Sequence, residues 1–209
     1  MLIAQPIHFY RFHLSGHCHR VELMLNLLAL PYEIVEINLA VGEHRSSDFL
    51  KLNLFGQVPV IDDQGVILSD SNAILVYLAN RYGKDNWVPT DAVKLARVQR
   101  WLSIAAGPIA YGPAAARKIT LFGAKLDATT LIAQSDSLCA ILEKELIKMP
   151  YLDSEQPSIA DVACYSYIAC APEGNVSLQA YPAVRAWLAR IEQWPGFVPM
   201  PASKVGLMQ

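Results

Sequence analysis

The chain has 209 residues, which permits one large domain or two small ones with a sizeable core. Its 17 basic and 19 acidic residues leave a formal net charge of −2, arguing against nucleic acid or an anionic membrane as the main partner, because both attract a basic face. The cysteines Cys18, Cys139, Cys164 and Cys170 lack C-x-x-C or zinc spacing, and no apolar run is long enough for a bilayer, so neither a metal site nor a membrane span is expected.

The segment Met1 to Pro6 lacks the basic stretch and apolar core of a secretory signal, so a cytoplasmic protein with reduced thiols is expected. Ile7 to Phe12, rich in β-branched and aromatic residues, reads as a first strand. Cys18, Val21, Leu25 and Leu28 then recur at helical spacing and predict a helix from near Cys18 to Ala29. Within Tyr32 to Leu39, Ile34, Glu36 and Asn38 alternate with Val35, Ile37 and Leu39, the pattern of a second strand. Val58 to Ile61 and Val66 to Leu68 read as a hairpin across Asp62-Asp63-Gln64-Gly65. Ser69-Asp70-Ser71-Asn72 is a cluster of cap-forming residues ahead of Ile74, Leu75, Leu78 and Tyr82, which predicts a helix ending at Gly83. The first 82 residues thus alternate as β-α-β followed by β-β-α.

Residues 83 to 90 have the polarity and breakers of a linker. From residue 91 to the end the pattern is wholly helical. A long helix from Asp91 should carry Leu95, Val98, Leu102 and Ala105 on one face, with a kink or break at Pro108 and Pro113. Further helices are predicted over Ala128 to Lys148, from Ser158-Ile159-Ala160-Asp161 through Ala169, and from Pro182 to a point before Pro195.

Two elements point to chemistry. Gln57-Val58-Pro59 places a proline in a strand-like run, where it cannot donate to a central ladder and marks an edge, a bulge or a cis bond. The main chain of Val58 is then free to pair with an extended ligand. Eleven residues on, Asp70-Ser71 opens a helix, whose first N–H groups and positive dipole end suit a carboxylate. Together they describe a site for a small acidic peptide.

This pair, at this spacing, resembles the glutathione site of the glutathione transferases, and the likeness runs along nearly the whole chain. It implies a thioredoxin-like α/β N-terminal domain over 1–82 and an all-α helical bundle over 91–209. By that resemblance Val58 pairs with the cysteinyl main chain of glutathione, with Pro59 cis, and Asp70 and Ser71 hold the γ-glutamyl end. Gln57 contacts ligand main chain, and His44, five residues before Phe49, matches a histidine that binds the glycyl carboxylate. The loop Ser15-Gly16-His17-Cys18-His19-Arg20-Val21 is similar to the theta-type motif of bacterial members, in which Ser15 would be the activating hydroxyl. Only the thiolate is a good nucleophile, and a donor aimed at the sulfur lowers its pKa. His19 or Arg20 would add positive charge nearby. The family usually has Asn-Pro ahead of G-Q-V-P, whereas this chain has Asn53-Leu54-Phe55-Gly56.

Cys18, flanked by two histidines near a helix start, is the rival nucleophile, although its helical spacing with Val21 and Leu25 points it to the core. The electrophile is expected between the His13-Leu14 loop and the first long helix, among Trp101, Tyr111 and Phe122, with Arg117 as an anchor for an acidic group; aromatics at helical spacing are as readily core. Trp187 and Trp194 are assigned to core. No cofactor is expected beyond glutathione as co-substrate, and the resemblance implies a homodimer with the N-terminal half of one subunit on the helices of the other. A glutathione-dependent reductase or isomerase on the same scaffold, or a ligand-binding module without turnover, are the competing functions.

Overall fold

The computed structural model describes residues 5–83 and 87–209. They form two compact units, Met1–Lys84 with Pro195–Pro201, and Asp85–Trp194 with Ala202–Gln209. In the first unit, β1 (Ile7–Arg11), α1 (Gly16–Leu27), β2 (Tyr32–Glu36), α2 (Ser47–Leu52), β3 (Val60–Asp63), β4 (Val66–Ser69) and α3 (Ser71–Tyr82) follow in order. The sheet order is β2-β1-β3-β4. β1 and β2 are parallel because α1 crosses between them, and the other two pairs are antiparallel.

The hairpin turn is shorter than the sequence pattern suggested. Gln64 and Gly65 both adopt positive φ, 55° and 90°, so two residues suffice to reverse the chain and Asp62 and Asp63 join the strand. The strand also starts later: Val58 and Pro59 precede β3, which begins at Val60. Since β3 is an interior strand, the proline is accommodated by standing ahead of the ladder. Helix α2 was not legible as a helix: Ser46 accepts from the Phe49 N–H at 3.2 Å, but a single turn holds too few apolar residues to show a period. Gly83 ends α3 with φ −66°, not in the left-handed region; glycine fits there because a Cβ would meet the Ala79 carbonyl oxygen at 2.3 Å. Of the expected linker 83–90, residues 84–86 lie outside the described residues.

The helical unit contains α4 (Ala92–Ala106), α5 (Pro108–Tyr111), α6 (Pro113–Phe122), α7 (Ala128–Leu146), α8 (Ile159–Ala169) and α9 (Pro182–Ile191). Pro108 and Pro113 each begin a new helix after a glycine with non-helical dihedrals, so the predicted kink is a double break. On α4, Val98, Trp101, Leu102 and Ala105 are buried, but Leu95 is exposed. Every residue from Ile159 to Ile168 is buried, the signature of a helix enclosed on all sides. Its start is a complete capping box. Asp161, fully buried, accepts from the Ser158 N–H (3.0 Å) through Oδ2, and from the Leu152 N–H (3.0 Å) and the Trp187 indole N–H (2.9 Å) through Oδ1. Burial nevertheless pushes its carboxyl up to about 6. Trp187 is core, as assigned, and Trp194 is half-buried against Trp87. Among the described residues, no helix is long and apolar enough to cross a membrane.

Residues 195–201, which the sequence assigned to the helical domain, return to the first unit. Gly196, with φ 85°, lies so close to α1 that a Cβ would meet the Asn26 carbonyl oxygen at 2.7 Å. Next to it, His19 Nε2 donates to the Val198 carbonyl at 2.8 Å, because a carbonyl only accepts. Burial, aided by the nearby charge of Arg20, lowers the His19 pKa to about 4. The unfolded chain takes up this proton near pH 6.5 and the folded chain only near pH 4. Stability should therefore be intact above about 6.5 and decline as pH falls toward 4, by on the order of 3 kcal/mol at 1.4 kcal/mol per unit. His19→Gln keeps the donor without titrating, so denaturant titrations from pH 8 to 4 should show its profile flatter than wild type. Parallel profiles would remove His19 as the acid-sensitive group.

Candidate active site

The register of the sheet brings the distant motifs together. Val35, Tyr10, Val60 and Ser69 form one row across β2-β1-β3-β4. Just past this row β1 continues into the loop bearing Ser15, β3 is preceded by Val58-Pro59, and β4 runs into Asp70-Ser71. Three segments far apart in the chain thus meet at the same end of the strands.

Ser15 is the N-cap of α1; its Oγ accepts from the Cys18 N–H at 3.3 Å, while its own N–H closes a turn on the Phe12 carbonyl at 2.9 Å. This fixes the hydroxyl at a helix N-terminus. The Val58-Pro59 bond is cis. Val58 packs its side chain into the cluster of Ile37, Phe49 and Val60, which anchors the segment and leaves the main chain outside the ladder. The turn feeding it is held by Asn53, whose Nδ2 donates to the Gln57 carbonyl (2.8 Å) and whose Oδ1 accepts from the Phe55 N–H (3.1 Å). That side chain gives this chain a fixed turn without Asn-Pro. The Gln57 side chain is on an exposed residue.

Gly56 ties His44 to the same place. It has φ 56°, and a Cβ there would meet the His44 carbonyl oxygen at 2.8 Å, so the turn before Gln57 lies directly against the turn carrying His44. The His44 Nδ1 is buried and makes no hydrogen bond among the described residues, so it could take part in one with a ligand. At the start of α3, Asp70 holds φ 68° and ψ 119°, a backbone state costing a non-glycine residue on the order of 1–3 kcal/mol. Its carboxylate offsets this by accepting from the Asn72 and Ala73 N–H groups, both at 2.9 Å and both through Oδ1. Ser71 is buried, and its hydroxyl accepts from Arg20 Nη1 at 3.3 Å.

Residues 14–81 match the glutathione S-transferase N-terminal domain and residues 119–195 the C-terminal domain. A solved glutathione S-transferase of Pseudomonas fluorescens is 33% identical, covers 94% of this chain and 99% of its own, and superposes with a TM-score of 0.89. This chain belongs to the glutathione S-transferase family. Glutathione S-transferase 1 of Zea mays is 30% identical over 207 residues, 94% of each chain. A glutathione transferase homologue of Drosophila mojavensis, solved with bound glutathione, is 29% identical, covers 91% of this chain and 89% of its own, and gives a TM-score of 0.83.

Within this transferase Cys18 is buried, only 1% exposed, and burial pushes its thiol up to about 12, despite the Ser15 hydroxyl, the Phe12 N–H (3.4 Å from the sulfur) and the charge of Arg11. At neutral pH it is a protonated core thiol, inert as a nucleophile. His19 donates to Val198 and burial lowers its pKa to about 4, so it carries no charge at neutral pH; Arg20, also buried, donates to the start of α3.

Two of the expected electrophile contacts are also corrected. Trp101 is fully buried and donates its indole N–H to Asp153 at 3.1 Å. Arg117 is buried and its Nε donates to Glu173 at 2.6 Å, so its charge is spent inside the helical unit. Both face inward because the α4 and α6 stripes carrying them are the apolar ones, with Ala105 on one and Ala114 to Ala116 on the other. Tyr111 is 72% exposed and Phe122 is exposed. Leu14 is half-buried, while His13 is exposed with its N–H and Nδ1 on Glu36 Oε1 at 2.7 and 2.8 Å. No sequence signal marked Glu36 as the group that steadies this loop, because it reaches His13 only through the parallel pairing of β1 with β2.

Proposed function

We propose that this transferase, of theta-like type, binds glutathione at one end of the strands of its first unit and ionises the thiol for conjugation to small, mostly apolar electrophiles. The observation that carries this reading is the register row that places Ser15, Val58-Pro59 and Asp70-Ser71 at that end. Val58 offers its main chain to the cysteinyl residue. The Ser71 N–H and hydroxyl receive the γ-glutamyl carboxylate, and Asp70 Oδ2, unused in capping, takes the ammonium. His44 and Gln57 serve the glycyl end. Ser15 donates to the sulfur, aided by the positive end of α1, without becoming a base or a covalent nucleophile. The thiolate attacks the electrophile in a single displacement or addition whose rate rests on thiol ionisation and proximity. His13, Leu14 and Tyr111 are the remaining candidates for contact with the electrophile.

A titration of thiolate absorbance tests the reading. Free glutathione thiol ionises around pH 8.5, and the bound thiol should ionise well below that. A bound thiol that titrates with the free one, at saturating protein, would refute thiol activation.

The homodimer is part of the same reading, with the protein in the cytoplasm. Its support is exposed apolar side chains on both units, among them Val66, Ile67 and Val76 in the first and Val93 and Leu95 in the second. Light scattering at micromolar protein should give twice the chain mass of 23.1 kDa; a monomer mass would remove the dimer.

A further inference from the structure

Arg20 is among the largest fully buried side chains, a guanidinium with 0% exposure on α1. Its Nη1 donates to Ser71 Oγ (3.3 Å) and to Asn72 Oδ1 (2.9 Å), the first two residues of α3. We propose that Arg20 is a positioning residue for the γ-glutamyl carboxylate of glutathione, acting through the hydroxyl of Ser71. The assignment rests on the binding mode proposed above.

The argument concerns one proton. A serine hydroxyl carries one donor and two acceptor sites, while a guanidinium only donates. With Arg20 on one lone pair, the Ser71 proton cannot point at the guanidinium and must be offered elsewhere. A cation on the oxygen also polarises the O–H bond and makes it a stronger donor, most of all at a buried position. Ser71 is only 4% exposed. Asn72 holds the other branch of the same nitrogen, which stops the guanidinium from swinging off the hydroxyl. Meanwhile Asp70 occupies the Asn72 and Ala73 N–H groups, so an incoming carboxylate is left the Ser71 N–H and the Ser71 hydroxyl. Arg20 thereby sets the direction and strength of one of two donors without touching the ligand. The helix end adds attraction of the same sign.

A purely structural Arg20, joining α1 to α3, would lower stability when replaced but would not change which ligand groups are read. The test is calorimetric binding of glutathione and of its analogue with γ-aminobutyrate in place of the γ-glutamyl residue, which lacks only the α-carboxylate and its share of charge. Wild type should prefer glutathione by about tenfold or more, the scale of one charged hydrogen bond. Arg20→Met should narrow that preference to the value found for Ser71→Ala, and the double variant should narrow it no further. If Met at this polar site prevents folding, Arg20→Gln keeps an N–H donor without the charge and should narrow the preference at least halfway. A folded Met or Gln variant with the wild-type preference overturns the proposal while leaving the glutathione site intact. A wild-type protein that does not distinguish the two ligands overturns the binding mode itself.

Discussion

Ser15→Ala is expected to reduce turnover by about 10²- to 10³-fold, the scale of removing one preorganised donor from a developing or resident anion. Glutathione affinity should stay within a few-fold, because the peptide is held by Val58, Asp70 and Ser71. The bound thiol should titrate upward, toward the free value, in the same absorbance experiment. Ser15 also caps α1 through the Cys18 N–H, so the alanine variant should lose about 1 kcal/mol of stability. That loss alone cannot explain a large drop in rate, and Ser15→Thr, which retains both cap and hydroxyl, separates the two effects by restoring most of the activity. Unchanged turnover in Ser15→Ala would remove Ser15 from the mechanism. A depressed thiol pKa in both proteins would move the activating role to the helix terminus.

The second large effect is on folding. Asp161→Ala should destabilise the protein by at least about 4 kcal/mol, because it leaves the buried N–H groups of Ser158, Leu152 and Trp187 without an acceptor. On a chain of this size that corresponds to a fall in Tm of roughly 8–16 °C, and total stabilities of about 5–15 kcal/mol make insoluble expression an equally consistent result. Asp161→Asn keeps one carbonyl acceptor and should fall between the two. A Tm within about 3 °C of wild type for the alanine variant would show that the box is not the start of the fold's central helix. Thiolate titration of any folded Asp161 variant should match wild type, since none of the site segments belongs to the helical unit.

Asp161 and Ser15 show what kinds of information a linear reading holds. The capping box is local: Ser158 and Asp161 are three residues apart, and helix geometry alone brings their groups together. Pro108 and Pro113 break their helix for an equally local reason, the missing N–H. Val58-Pro59 and Asp70-Ser71 stood out because they are backbone features written in nearby residue types, a proline before a strand and an Asp-Ser at a helix start; Ser15, Gln57 and His44 stood out only through the resemblance. For Arg20 the sequence offered only a charge on the loop after β1. Its bond to Ser71 spans 51 positions and exists because α1 packs on α3, which no spacing in the chain reveals.

The electrophile candidates mark the opposite case. Trp101 lies on a helix that the period identified and Arg117 past the break at Pro113, yet a helical period does not tell an inward aromatic from a pocket wall, nor does it show Glu173 beside an arginine. The return of residues 195–201 to the first unit was hidden for the same reason, since it depends on the His19 ring meeting the Val198 carbonyl. The sequence by itself determined the strand and helix order, the caps, the breaks and the Val58-Pro59 and Asp70-Ser71 motifs of the site, because steric limits on φ and ψ and backbone hydrogen bonding act over a few residues. The tertiary structure alone decided the sheet register that brings those motifs to one end of the strands, the burial that silences Cys18, and the pairing of Arg20 with Ser71, because burial and charge pairing depend on which distant surfaces are pressed together.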